Sequence, residues 1–283
     1  MTRNKSFNNN APILYLIATP IGNLKEMSPR ALETIKQMDI IAAEDTRNAF
    51  SLLANYGIKK DLFSLREHNE MEASKKLLEM IKSGKKVAYM SDAGYPCVSD
   101  PGQLLVQEMI KNDIMVSTIS GSSAFINALV ASGLDSKHFY FYGFLPAKES
   151  EAKDELVSLK ERKETLIFYE APHRIMKSLN LMLSIFENRN VCLARELTKI
   201  NEEYIRGTLD ELVKLDEATI KGEIVLIVEG NKKEKVVNDE EIIARINYFI
   251  ALGLSQKDAI KVVIEEFNIN KNYVKNLFFK IWK

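Results

Sequence analysis

The chain has 283 residues, with 39 Lys and Arg set against 39 Asp and Glu, so its formal net charge is zero. A protein that coats nucleic acid non-specifically needs surplus cations to displace counterions; neutrality excludes that class and confines any polyanion to a local patch. Hydrophobic residues at 46% and charged residues at 28% mark a folded globular chain long enough for about two domains.

Residues 1–12, MTRNKSFNNNAP, carry no continuous apolar stretch of signal-peptide type. Residues 1–11 are expected to be a disordered lead to a cytoplasmic protein. No apolar run approaches the roughly 20 residues that cross a bilayer, so no membrane association is expected. Strand candidates follow at residues 13–18, 40–43, 87–90 and 115–119, separated by amphipathic helical patterns such as 29–38 and 70–81. Ser28 before Pro29 supplies an N-cap and a proline at the first helical position. Strand, helix, strand at this spacing predicts βαβ units around a parallel sheet over residues 12–132. From 133 to 230 the pattern resumes with strands at 139–144, 165–169, 191–194 and 223–228 and a charged helix at 149–163. This predicts a second α/β domain. Past Gly230 a charged linker leads to a region, 236–283, with three helical patterns at 240–252, 255–267 and 271–282 and no strand pattern. Ser255 caps the second, and residues 268–270 separate it from the third, as in a helix-turn-helix. Residues 232–283 hold ten basic and seven acidic side chains, a net +3, which suits either a helical cap or docking on nucleic acid.

In parallel α/β sheets ligands bind beyond the carboxyl ends of the strands. Four strands here end in loops rich in small residues: TPIGNL (19–24), EDTR (44–47), SDAGYP (91–96) running on to SDPG (99–102), and SGSSA (120–124). Such loops let backbone approach a ligand and present amide donors and carbonyl acceptors. None of the 12 glycines forms a GxG pair, and Gly84-Lys85-Lys86 lacks the remaining elements of a P-loop. Cys97 and Cys192 are too few for a disulfide framework or a cysteine zinc site. His68, His138 and His173 lack metal-ligand spacing, so no metal is expected.

A second group of motifs lies at YEAPHR (169–174) and ARELTK (194–199), with Glu203 and Arg206 soon after. Glu170, Arg195, Glu196 and Lys199 suit an ion-pair lattice tying sheet to helices. They equally suit a cleft that holds a phosphodiester, onto which arginine can fork.

The ordered strings ATPIGNL (18–24), AEDTR (43–47), SDAGYP (91–96), SDPG (99–102), GFLP (143–146), YEAPHR (169–174) and RELTK (195–199) resemble one family. It is the branch of tetrapyrrole methylase-like, S-adenosylmethionine-dependent methyltransferases that modifies small-subunit ribosomal RNA. The resemblance implies two α/β domains with S-adenosylmethionine between them and a small C-terminal helical domain. It also implies 2′-O-methylation of a cytidine ribose in the decoding centre of 16S rRNA, with the 30S subunit as partner and a homodimer as the working form. Position by position it points to Pro20, Asp92, Ala93, Gly94, Val98, Ser123, Ala124 and Gly222 as cofactor-binding. Ser120 and Ser122 stand where prolines are usual, and Tyr95 where a small hydroxyl residue is.

A ribose hydroxyl is a poor nucleophile at neutral pH, and a neighbouring base helps remove its proton. Asp45, Glu170 and His173 are the candidate catalytic groups, His173 because a helix start disfavours its protonated form. Asn23, Arg47, Arg174, Arg195 and Lys199 are the candidate substrate-binding residues. Two alternatives stand beside this reading: a tetrapyrrole or other small-molecule methyltransferase of the same class, and a non-catalytic RNA-binding assembly factor.

Overall fold

The first sheet is built from five short strands, β1 (Ile13–Ile17), β2 (Ile40–Ala43), β3 (Asp61–Ser64), β4 (Val87–Met90) and β5 (Met115–Ile119), in the order β3-β2-β4-β1-β5. All its pairings are parallel. The computed structural model describes residues 12–233, 238–267 and 269–281; the expected lead at 1–11, Asn268 in the expected break before the last helix, and Trp282 lie outside them. One compact unit ends at Asn231 and a second begins at Lys232.

Helices α1 (Pro29–Gln37), α2 (Thr46–Asn55), α3 (Glu70–Lys82) and α4 (Gln103–Lys111) complete the parallel crossovers. The start of α1 follows its sequence signal: the Ser28 hydroxyl accepts the Ala31 amide at 3.1 Å, with Pro29 in the first turn. Two apolar layers sandwich the sheet, one around Leu14, Leu77, Tyr89 and Met109, the other around Ile17, Ile35, Ile41 and Leu53. The edge strand β3 escapes sequence reading because DLFS is short and half exposed, with neither alternation nor a continuous apolar run. The four loop-bearing strands β2, β4, β1 and β5 are nonetheless adjacent in the sheet, so their loops share one edge.

The second sheet comprises β6 (Phe139–Phe144), β7 (Thr165–Glu170), β8 (Asn190–Arg195), β9 (Glu203–Thr208) and β10 (Ile224–Val228), ordered β6-β7-β10-β8-β9. This is the second α/β domain expected from sequence, but its sheet is mixed where the first is all parallel. Only β6 and β7 pair in parallel; β10 runs antiparallel between β7 and β8, and β9 returns antiparallel along β8. β9 carries EYIRGT, whose charged residues mask its strand character. Helix α6 (Glu149–Leu159) is shorter than the expected 149–163. The helix expected from Pro172 is a 3-10 turn, Pro172–Arg174, before α7 (Ile175–Phe186). α8 (Leu209–Leu212) is a single capped turn.

Helix α5 (Ala124–Ser132), leaving β5, belongs by sequence to the first half but packs on the second sheet. Its Ala128 and Leu129 join Ile167, Cys192, Ala194, Val225 and Ile227 in one buried cluster with Ile21. That joint holds the two sheets as walls of one cleft.

The second unit is three helices, α9 (Asp239–Ala251), α10 (Gln256–Phe267) and α11 (Lys271–Ile281), around Ile242, Ile246, Ala259, Val263 and Val274. The Ser255 hydroxyl accepts the Asp258 amide at 3.2 Å, the cap expected from sequence.

Candidate active site

A cavity of about 410 Å³ opens between the two sheets of the first unit. From the first half its wall takes Ile21, Ala93, Gly94, Tyr95, Val98, Ser99, Asp100, Ser123, Ala124 and Phe125. From the second it takes Phe144, Tyr169, Glu170, Ala171, Pro172, Leu197 and the stretch Gly222 to Val225. Six of the eight expected cofactor positions, Ala93, Gly94, Val98, Ser123, Ala124 and Gly222, therefore line one space.

Pro20 and Asp92 are not in the lining: Pro20 is buried within the first loop, and Asp92 is exposed and accepts a hydrogen bond from Asn48 Nδ2 at 2.6 Å. Loop-to-loop bonds hold the first-half wall. Thr19 and Gly94 exchange amide bonds at 2.8 and 3.1 Å, and the Gly121 amide donates to the Tyr95 hydroxyl at 3.3 Å. A Cβ on Gly121 would stand 2.9 Å from Ala18 Cβ, so the fourth loop lies directly on the end of β1.

The third loop is the most contorted segment. Cys97 and Ser99 adopt positive φ of 68° and 64° without being glycine, a conformation that persists only where surrounding structure imposes it. Imposing it here are the Tyr89 hydroxyl, which donates to Pro101 O at 2.8 Å, and Glu70, which accepts the amides of Gly102 and Leu104 at 2.9 and 2.7 Å. A Cβ on Gly102 would fall 2.5 Å from Tyr89 Cε1. The loop thereby carries Asp100 into the cavity wall. Burial, with the carboxylates of Glu44 and Asp92 adding repulsion, pushes the Asp100 carboxyl up to about 6. Burial likewise pushes the Cys97 thiol up to about 11 and the Tyr169 phenol up to about 12.

The second-half wall is held by charge. Glu170 is 3% exposed; it accepts hydrogen bonds from the Ala171 amide at 2.8 Å and from the Ser178 hydroxyl, and lies 3.5 Å from Arg174 Nε. Arg174 donates to the carbonyls of Leu145 and Pro146 at 3.1 and 2.9 Å, tying YEAPHR to GFLP. Arg195 bonds Glu203 at 2.7 Å and Lys221 O at 3.2 Å. Lys199 Nζ reaches Glu196 at 2.9 Å and Glu223 at 3.0 Å. Burial opposes the charge on Lys199, but those two bonds outweigh it and raise its pKa. Each of the four residues expected to form an ion-pair lattice, Glu170, Arg195, Glu196 and Lys199, is therefore paired, in three separate groups: Glu170 with Arg174, Arg195 with Glu203, and Lys199 with Glu196 and Glu223.

The halves touch at Gly22, where a Cβ would stand 2.6 Å from Lys199 Cγ. A bulge between Phe141 and Gly143 shifts the pairing of β6 with β7 just before Phe144, 56% exposed, which lines the cavity.

Other expected residues do not converge. Asp45 is the N-cap of α2, accepting the Arg47 amide at 2.8 Å, and its side chain pairs with Arg47. The Arg47 hydrogen bonds hold its carboxyl well below the usual carboxylate range. His173 sits exposed in the 3-10 turn Pro172–Arg174 that leads directly into α7, and it does not line the cavity. Asn23 accepts the Lys25 amide at 3.1 Å in the first loop. Among the described residues no group of three or more His, Cys, Asp or Glu side chains could hold a metal, and no helix is long and apolar enough to cross a membrane.

Sequence reasoning passed over Asp100, Asn48 and Phe144. For Asp100 a signal existed: it lies in SDPG, a string counted for the loop but not for its carboxylate.

A cleft between two α/β sheets, lined by strand-end loops, is the architecture of a methylase class, and residues 13–213 match the family model for tetrapyrrole (corrin/porphyrin) methylases. The chain belongs to that family. Over more than nine-tenths of its length it is similar to proteins called ribosomal RNA small subunit methyltransferase I. The one from Halalkalibacterium halodurans is 45% identical over 94% of each chain, and that from Haemophilus influenzae 46% identical over 92% of this chain and 94% of the other. In fold it resembles the crystal structure of the methyltransferase CobJ, with a TM-score of 0.60 at 16% identity, over 80% of this chain and 97% of that one.

Proposed function

We propose that this methyltransferase uses S-adenosylmethionine to methylate the 2′-hydroxyl of a cytidine ribose in the decoding centre of 16S rRNA, acting on the 30S subunit as a cytoplasmic homodimer. The observation that carries the substrate is the identity of about 45% over nearly the full length, helical second unit included, with relatives named for small-subunit rRNA. The likeness to CobJ is confined to fold, so it lends the tetrapyrrole alternative no support of its own.

The cavity suits the donor. Its volume is within the range of small-molecule sites. Val98, Phe125, Leu197 and Val225 offer apolar surface to a nucleoside, and Ala93, Gly94, Ser123 and Ala124 offer backbone groups. When bound, S-adenosylmethionine supplies a methyl group on a positively charged sulfur. The chain's own residues bind and orient it, and the apolar lining excludes water. Positioning of this kind accounts for most of the rate in an in-line displacement. The basic candidates Arg47, Arg195 and Lys199 are assigned to the rRNA, each with an acidic partner to exchange for phosphate.

Incubating the chain with purified 30S subunits and methyl-labelled donor, followed by mass-spectrometric mapping of ribose methylation, tests the assignment. Label in one 16S cytidine is expected. Label transferred to a tetrapyrrole and not to the subunit overturns it, and a flat calorimetric titration with S-adenosylmethionine would favour the non-catalytic assembly factor instead. Light scattering of the purified chain reads the homodimer.

A further inference from the structure

Three carboxylates line the cavity: Glu170, Glu223 and Asp100. Glu170 is committed to the Ala171 amide, the Ser178 hydroxyl and Arg174, and Glu223 to Lys199 at 3.0 Å. Asp45 is paired with Arg47, and Asp92, outside the lining, accepts from Asn48 at 2.6 Å. Asp100 differs from all of these. The groups bearing on it are the carboxylates of Glu44 and Asp92 and the Ser91 hydroxyl, and its own charge bears on Tyr89, Cys97 and Tyr169. Its loop is held in a strained path by Tyr89 and Glu70, so the carboxylate's place in the wall is imposed, which is how catalytic side chains are pre-positioned.

We propose that the carboxylate of Asp100 is the proton acceptor for the ribose hydroxyl, an inference that rests on the ribosomal reading above. The hydroxyl proton passes to an Asp100 oxygen. The oxygen lone pair so released forms the new O–CH3 bond, while the bond between methyl carbon and donor sulfur breaks and leaves its electron pair on that sulfur. The methylated ribose, a neutral thioether and a protonated Asp100 result, and the aspartic acid returns its proton to water. A base titrating near 6 is ionised at neutral pH yet retains more basicity than an ordinary aspartate, the compromise that general-base catalysis favours.

The linkage has a definite sign. A carboxyl whose folded pKa lies above its unfolded value stabilises the fold while protonated, and that contribution is lost as pH rises from about 4 through about 6. Asp100→Asn, of nearly the same shape, should therefore melt at a higher temperature than wild type at pH 7.5, with the difference closing toward pH 4. This measurement needs neither donor nor RNA.

In the full-length chain acting on 30S subunits, wild-type kcat/KM should fall on a limb with apparent pKa near 6. Asp100→Asn should lose about 100-fold in kcat, at the low end of general-base contributions, lose the limb, and keep its calorimetric affinity for S-adenosylmethionine; Asp100→Glu should recover part of the rate with the limb. An Asn variant that retains the limb, keeps its kcat, or loses donor affinity as steeply as rate overturns the assignment while leaving the ribosomal reading intact. Failure of the wild type to methylate the subunit at all overturns both.

Discussion

The two walls of the cleft are made of opposite materials. The first-half wall comes from the loops after β1, β4 and β5, barest at Ala93, Gly94, Ser123 and Ala124, and is positioned by amide-to-carbonyl bonds such as Thr19 to Gly94. The second-half wall is a charged framework in which Glu170, Arg174, Arg195, Glu196, Lys199 and Glu223 hold one another and neighbouring carbonyls. An all-parallel sheet converges its strand ends and helix starts on one edge, so bare loops suffice there. The mixed second sheet alternates strand direction, and side chains must hold its loops together. The first wall is thus built for close approach of a ligand, and the second for rigidity.

Adding bulk to the bare wall should give the largest effect. Ala93→Leu places a branched side chain in the cavity and should weaken S-adenosylmethionine binding by about 100-fold or more, close to 3 kcal/mol, as read by calorimetry. Undiminished affinity would mean that the donor sits elsewhere. Next comes Gly102→Ala, whose new methyl meets Tyr89 and Cys97 at 2.5 and 2.6 Å at a φ of 125°. A stability loss of about 2 kcal/mol or more in urea titration is expected from the overpacking and the backbone strain combined. Glu170→Gln should cost about 1–3 kcal/mol of stability, because a buried acceptor set is disrupted, with a smaller change in donor affinity than Ala93→Leu produces. The smallest effect on the donor belongs to Arg195→Ala, which should leave its affinity unchanged while lowering methylation of 30S subunits several-fold. Equal losses of donor affinity in Ala93→Leu and Arg195→Ala would erase the distinction between the walls.

Much of this was legible before any coordinates. Alternating strand and helix patterns located β1, β2, β4 and β5, and the Ser28-Pro29 cap located the start of α1, because both signals are local. The antiparallel course of β10 was not legible: IVLIV is apolar throughout and reads the same in either direction, since strand direction is decided by partners far away in sequence. The family resemblance pointed to eight positions, of which six line the cavity; the small-residue loops at strand ends account by themselves for Ala93, Gly94, Ser123 and Ala124, because close backbone approach has a compositional signature. Asp45 and His173 are candidates from their motifs and, for His173, from its place at a helix start; that Asp45 pairs with Arg47 and that His173 lies outside the cavity are properties of the fold. Asp100 was missed for the same reason: nothing in SDPG tells that its loop turns the carboxylate inward beside Glu44 and Asp92.

The strand order β3-β2-β4-β1-β5 also governs how the chain must be made. β1 sits between β4 and β5, with Leu14 in register with both Val87 and Val116, so the first strand synthesised waits for the last two of its sheet. At ribosomal rates of about 5–20 residues per second, the interval between completing β1 and completing β5 is roughly 5–20 s. Until β4 emerges, an Ile- and Leu-rich segment has both edges unpaired, and one edge stays open until β5 follows, the condition that invites wrong strand pairing. β8 and β9, by contrast, are nearly consecutive and can pair as soon as both emerge. Misassembly during synthesis should therefore concentrate in the first sheet, and slower translation of residues 18–119 should lower the yield of soluble protein more than slower translation of residues 139–228.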